Sequence, residues 1–419
     1  MVSRNLSQQA QGFLEYILLA LLCCLIIVAP YFRFFSKVLL AGGIACLIVL
    51  TVLRHRGGFV GRLFPAHPLA DSVLLFMLVC FVSVVASHSF YHSQKVFFNR
   101  HFFYLSAFLM GVSVARNIPR CGRWISIGCL VSGFIFATGS IRDIVLFNPT
   151  RLFTVFGFEI PFAMLPLFTA YFLPLNFGLW FFSEHAFIKR AAMFNTILLI
   201  PVFLWQGSRG AWVAIAFSLL ILSFLKGRKV FWVSCAVVLF LALGSSISSP
   251  LTRAKISTIP QPSQWNYRTP LFAVAVDMFR SRPVIGVGLG MYEQLIKTPE
   301  FNLPESYPNR DHRLYLHAHN VYLEILAETG LLGLVAFISI FLSYFTVLYK
   351  RVRVINSSSQ PLVYSFAAVI ISTLVYGIAG SIITVGTNES YIFWLILGLS
   401  SGFLAQTQGE IWHRHSEAL

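Results

Sequence analysis

The chain has 419 residues, of which 57% are hydrophobic and only 11% charged, and its mean hydropathy is +0.76. A water-soluble protein of this size carries roughly 25% charged residues, so the composition excludes a soluble domain with a single anchor and predicts an all-α polytopic membrane protein. The net charge of +16 invites a nucleic-acid reading, but the basic residues are spread over many loops and form no interleaved basic–aromatic segment. Nucleic acid is therefore not an expected partner, and the surplus reads as a record of membrane topology.

A hydrocarbon core of about 30 Å needs about 20 apolar residues per helix. By that ruler about 12 transmembrane helices fall near 13–30, 34–53, 69–87, 98–115, 122–141, 157–182, 191–206, 209–225, 230–248, 320–348, 362–385 and 391–406. The first run, "FLEYILLALLCCLIIVAP", has no small-residue cleavage site and is followed at once by another span, so it reads as a retained helix. The sixth, "FGFEIPFAMLPLFTAYFLPL", carries a glutamate and three prolines, which a membrane helix tolerates where neighbours satisfy the freed carbonyls. The seven cysteines lie in or beside apolar runs, which suggests packing and no disulfide framework. Three regions result: helices 1 to 9 over 1–248, a long polar segment with short helices over 249–319, and helices 10 to 12 with a short tail over 320–419.

Lys and Arg are unequally shared between alternate loops. One set holds Arg54, Arg56 and Arg62, then Arg116, Arg120 and Arg123, Lys189 and Arg190, Lys226, Arg228 and Lys229, and Lys350, Arg351 and Arg353. The short loops of the other set hold half as many. The positive-inside rule puts both termini in the cytoplasm and the segment 249–319 on the outer face, the periplasm of a Gram-negative cell. Within that segment "RTPLFAVAVDMFRSRP" (268–283) predicts an amphipathic helix ended by Pro283, and "GVGLGMYEQL" a tight turn entering another short helix. "GVGLG" lacks the preceding strand and full spacing of a dinucleotide loop.

The polar groups at the mouth of the tenth span carry the first candidate chemistry. In "HAHNVYLEILAETGLLGL" His317 and His319 are two apart, and an imidazole titrates near neutral pH, where a general base for a hydroxyl nucleophile must work. Histidines capping a helix mouth fit the same pattern. So does a zinc site completed by Glu324, although the segment offers no convincing fourth ligand. In a continuous helix Glu324 and Glu328 would share one face, about 6 and 12 Å further in.

The second feature is "WQGSRGAW" (205–212), where Arg209 is the one charge in a short outer turn. Its planar fork suits phosphate, and a snorkelling residue between two tryptophans would look alike. Arg268 opens the amphipathic helix, where backbone N–H groups already favour an anion. The sequence contains no Asp-x-Asp cluster to clamp a metal on phosphate.

Three ordered elements, "SRGAW", "NYRTPLFAVAVDMFRSRPVIGVGLGMYEQ" and "HAHNVYLEILAETGLLGL", resemble the O-antigen ligase and polymerase superfamily of bacterial envelope enzymes. The resemblance implies a multi-spanning, GT-C-like glycosyltransferase in the bacterial inner membrane with a periplasmic active site. Its donor would be an undecaprenyl-diphosphate-linked glycan and, for the ligase branch, its acceptor lipid A-core; it would need no cofactor, nucleotide or metal. The family's catalytic histidine falls on His319 and its diphosphate-binding arginines on Arg209 and Arg268. His317 matches a position commonly present in the family, and Asn320 and Glu324 are candidates to orient the imidazole or bind sugar hydroxyls. A polymerase, a protein O-oligosaccharyltransferase and a lipid-linked glycan transporter are the competing expectations. A transporter should carry cations through the midplane, whereas the candidate cations here gather at one face.

Overall fold

The computed structural model describes residues 2–54, 68–147, 152–155, 158–161, 165–206, 208–237, 268–301, 303, 317–355, 357–381, 383 and 388–416. The elements in chain order begin with α1 (Val2–Val28), α2 (Arg33–Arg54) and α3 (Pro68–Val85). Next come α4 (Phe90–Val96), a π-helical turn (Phe97–His101), α5 (Phe102–Asn117) and α6 (Cys121–Phe147). A hairpin of β1 (Leu152–Val155) and β2 (Phe158–Pro161) precedes α7 (Leu165–Phe182), α8 (Ala186–Trp205) and α9 (Arg209–Lys226). After a helical stretch over 228–237 the described chain resumes with α10 (Thr269–Ser281) and α11 (Tyr292–Leu295). It closes with α12 (Val321–Arg351), α13 (Gln360–Tyr376) and α14 (Asn388–Ser416).

Among the described residues the protein is an all-helical polytopic bundle apart from the hairpin. Among the described residues seven helices, within α1, α2, α6, α7, α8, α9 and α12, are long and apolar enough to cross a membrane, and α3 and α13 are apolar but shorter. The expected sixth span is cut back to α7, because its leading residues form β2, which pairs antiparallel with the preceding β1, Phe153 opposite Ile160. Aromatic and β-branched residues favour that pairing. Of the ninth span, 238–248 lies outside the described residues.

Helix contacts follow the small residues. A Cβ on Gly111 of α5 would meet the Leu395 carbonyl of α14 at 2.7 Å, and one on Gly402 would meet the Val112 carbonyl at 2.7 Å. Gly398 faces the Phe108 carbonyl in the same way. Gly398 and Gly402 thus form a small-xxx-small stripe that lets two backbones touch where no hydrophobic effect pulls helices together. Tyr104 stacks on Trp394 beside this seam, centroids 5.8 Å apart.

The bundle has two chemically distinct ends. At one end Arg351 donates to the Leu404 carbonyl (3.1 Å) and Lys226 lies 5.3 Å over the Phe182 ring. The α5–α6 turn with its arginines, the start of α8 and the start of α13 are at this end too, around one cavity. The starts of α9, α12 and α14 meet the end of α13 at the other.

Candidate functional site

That second end is built on the last turn of α13. The Val321 N–H donates to the Gly377 carbonyl (2.9 Å) and the Tyr322 hydroxyl to the Leu374 carbonyl (2.8 Å), which fixes the start of α12. Gly210 brings the start of α9 equally close: a Cβ there would lie 2.9 Å from the Ala379 side chain and 3.4 Å from the Tyr376 ring. Ser208 caps α9, accepting from Ala211 N–H at 3.5 Å, and Tyr376 is hydrogen-bonded to it. Trp212 Nε1 donates to the Phe203 carbonyl (2.9 Å), so the tryptophan braces the turn.

Arg209 is the first residue of α9 and Arg268 the residue before α10. They come from helices far apart in sequence, yet lie close enough to repel one another, and Tyr376 acts on Arg268 from the same cluster. The protein covering part of Arg268 draws its pKa below the usual arginine value, Tyr376 opposes this, and the Arg209 charge reinforces it. Two guanidiniums near enough to feel one another's charge suit an anion with more than one negative charge.

The histidine segment is fastened at both sides of His319. Glu324, 2% exposed, takes His317: its Oε1 is 3.3 Å from His317 Nδ1, and its Oε2 accepts the Ala318 N–H at 3.2 Å. Asn320 caps α12 through its Oδ1, which accepts from Tyr322 N–H and Leu323 N–H, each at 3.0 Å. Its side-chain oxygen is therefore committed to the backbone, and Glu324 orients the neighbouring imidazole. Between these fastenings His319 has φ of +50°, in the left-handed region that non-glycine residues seldom occupy. Burial alone would lower the His317 pKa, but the Glu324 carboxylate outweighs it and holds the imidazole above its ordinary value.

Beyond Thr329 α12 is broken. Gly330 has φ 66° and ψ −166°, a conformation open essentially to glycine alone. "GVGLG" fills the break: Val287 N–H donates to the Ala327 carbonyl and Gly288 N–H to that of Glu328, both at 3.0 Å. From the far side Leu331 N–H donates to the Pro283 carbonyl (2.9 Å) and Leu332 N–H to that of Val284 (3.2 Å). Gly286, Gly288 and Gly290 all have positive φ, and a Cβ on Gly286 would collide with the Glu328 backbone. The loop is thus a backbone plug for an interrupted helix. It is anchored to the end of α3, where Arg282 Nη1 donates to the Ala86 carbonyl at 2.7 Å.

The break separates the leg that carries Glu324 and Glu328 from the length that follows. Leu331 to Arg351 alone is 21 residues, about 31 Å at 1.5 Å per residue, enough to cross the hydrocarbon core. Val321–Thr329 is a separate leg that bridges two cores: Val321 and Ile325 pack into the main bundle, while Leu323 and Ala327 pack with α10 and α11 in a small core including Leu271, Met278, Tyr292 and Ala318. Glu328 serves this core: its Oε1 accepts the Tyr292 N–H at 3.2 Å.

Arg100 is a residue that the reading of motifs missed. It lies in the π-helical turn, and its charge acts on both His317 and Glu324. In the sequence it counts only as one of the sparse outer-loop cations. The available signal is its place among Phe97, Phe98, Phe102 and Phe103, since a charge in an aromatic run needs a partner. Among the described residues no three His, Cys, Asp or Glu side chains gather as a metal-ligand set, so His317 and Glu324 find no third ligand there.

No curated protein matches the chain. A family model described as O-Antigen ligase matches residues 194–338, the stretch that contains Arg209, Arg268, the glycine plug and the histidine segment. That stretch is thus similar to the O-antigen ligase family, in line with the resemblance carried by its motifs.

Proposed function

We propose that the protein is an O-antigen ligase that transfers a glycan from undecaprenyl diphosphate to lipid A-core, with no metal, in the bacterial inner membrane. The observation that carries this reading is the convergence of Arg209 and Arg268 on one another beside Tyr376, at the helix end that also holds the start of α12. The surplus of cations at the opposite end supports cytoplasmic termini and an outward-facing site. In that orientation the polar segment 249–319 is the periplasmic part, between nine preceding spans and three that follow.

In this reading the diphosphate rests against Arg209 and Arg268. Charge builds on the leaving diphosphate as the anomeric bond breaks, and two fixed guanidiniums in a poorly hydrated site stabilise it more than water would. His319 accepts the proton of the acceptor hydroxyl as its oxygen attacks the anomeric carbon. One displacement inverts that carbon. His317, held by Glu324, and the Asn320 cap keep the His319 backbone in its left-handed turn.

The test is transfer by purified full-length protein supplied with undecaprenyl-diphosphate-linked glycan and lipid A-core in the presence of chelator. Wild type should form the conjugate and His319→Ala should lose it by at least about a hundredfold, the usual contribution of a general base. Extension of the carrier-linked glycan with lipid A-core ignored would make the protein a polymerase. Equal transfer by His319→Ala would remove the base from its role.

A further inference from the structure

Among the described residues two that are not glycine have positive φ, and they lie at opposite ends of the bundle: His319 at +50° and Arg120 at +58°. Such strain collects at functional positions. Arg120 stands in the α5–α6 turn and lines a cavity of about 1170 Å³ together with Arg116 and Arg123. The 17 residues of α13 run from this cavity to the Tyr376 cluster, about 25 Å at 1.5 Å per residue, close to the thickness of a hydrocarbon core. The cavity is therefore at the membrane face opposite the histidine segment.

Its lining has two chemistries. The floor is apolar, with Leu179, Ile188, Leu362 and Phe403, and the rim carries the three arginines with Ser357, Ser358 and Ser359. Glu184 is the one acidic side chain in the lining, and none of the three arginines forms an ion pair among the described residues. Helices α6, α8 and α13 also begin here, and their caps His185 and Ser359 make no side-chain capping bond. Three sets of helix-terminal N–H groups thus add to the positive potential.

We propose that this cavity binds the phosphodiester headgroup of an anionic phospholipid, with the acyl chains against the apolar floor. Basic pockets between membrane helices are suited to such headgroups, and the floor gives a lipid an advantage over a soluble phosphate. That the leaflet is cytoplasmic rests on the orientation proposed above; the binding itself does not.

The experiment is native mass spectrometry of the delipidated full chain in detergent, titrated with phosphatidylglycerol, with phosphatidylcholine, and with phosphatidylglycerol plus millimolar inorganic phosphate. Wild type should retain phosphatidylglycerol over phosphatidylcholine, and inorganic phosphate should not displace it. The variant Arg116→Gln/Arg120→Asn/Arg123→Gln should weaken retention at least tenfold. Lys189→Gln/Arg190→Gln/Lys350→Gln removes three exposed charges that do not line the cavity, and it should leave retention unchanged. Arg123→Gln alone, with an unaltered melting temperature, should give a smaller loss in the same direction. Equal weakening in both triple variants would overturn the proposal in favour of diffuse attraction, and displacement by inorganic phosphate would overturn it in favour of a soluble ligand. Because the assay reads no glycan transfer, failure here leaves the transferase reading standing.

Discussion

Glu324 is the partner of His317: its carboxylate lies 3.3 Å from His317 Nδ1 and also accepts the Ala318 N–H, so one side chain ties the approach to His319 onto the first turn of α12. The imidazole is mostly covered and the carboxylate is buried. The pair is therefore a structural clamp whose strength depends on protonation.

The first prediction is a pH dependence with a definite sign. The folded His317 pKa is raised above its ordinary value of 6.5. The clamp's contribution is then fully present below pH 6.5 and is lost as pH rises through the higher folded value. Thermal melts across pH 5.5 to 9 should show wild type losing stability above neutrality, and Glu324→Gln should flatten that limb. A pH-independent difference between the two would refute the linkage.

Arg100 acts on the same imidazole in the opposite sense, lowering its pKa. Arg100→Gln should therefore move the His317 titration further up, read by NMR of labelled histidine. Transfer should also fall, because a cation near the histidine segment is removed. A downward shift would contradict the placement of Arg100.

Gly330 and Gly286 face each other across the break. Gly330→Ala places a Cβ against the Val284 backbone and Gly286→Ala one against that of Glu328, each also in a positive-φ conformation. Either change should destabilise the protein by about 3 kcal/mol or more, the combined scale of backbone strain and steric displacement. Gly12→Ala, with nothing near its Cβ, is the control. Melting in detergent decides it.

Asn320→Ala should cost about 1 kcal/mol through loss of the α12 cap, and Asn320→Asp should restore most of it. If Asn320 acts only as a cap, both variants should show activity that follows stability. A large kcat loss in Asn320→Asp with unchanged melting would assign the side chain a contact with substrate.

The helices were legible because the membrane imposes one length on each apolar run, and the ends of α9 and α10 follow from Ser208 and from Pro283. The interruption of α12 was not. Glycine in "AETGLLG" is ordinary inside a membrane helix, and the N–H groups that make a break tolerable come from a loop some forty residues earlier. Hence the single continuous helix expected from Glu324 onward stops at Gly330. The candidates Arg209, Arg268 and His319 could be picked by residue type, but not which partner each side chain holds. The pairing of Glu324 with His317 depends on the left-handed turn at His319, and no local pattern announces it. Arg100 was hidden for a related reason: its relevance arises from the π-helical turn and the fold around it.

The split in α12 also bears on how the chain is made. Leu331 to Arg351 can enter the lipid as a complete hydrophobic rod, since it alone has the length required. The preceding leg cannot finish its hydrogen bonding until residues 283–288, synthesised earlier, fold back onto it. Biogenesis therefore divides into insertion of a rod and later docking of a lid. The candidate site comes into being only at the second step, after the membrane-embedded half is already in place.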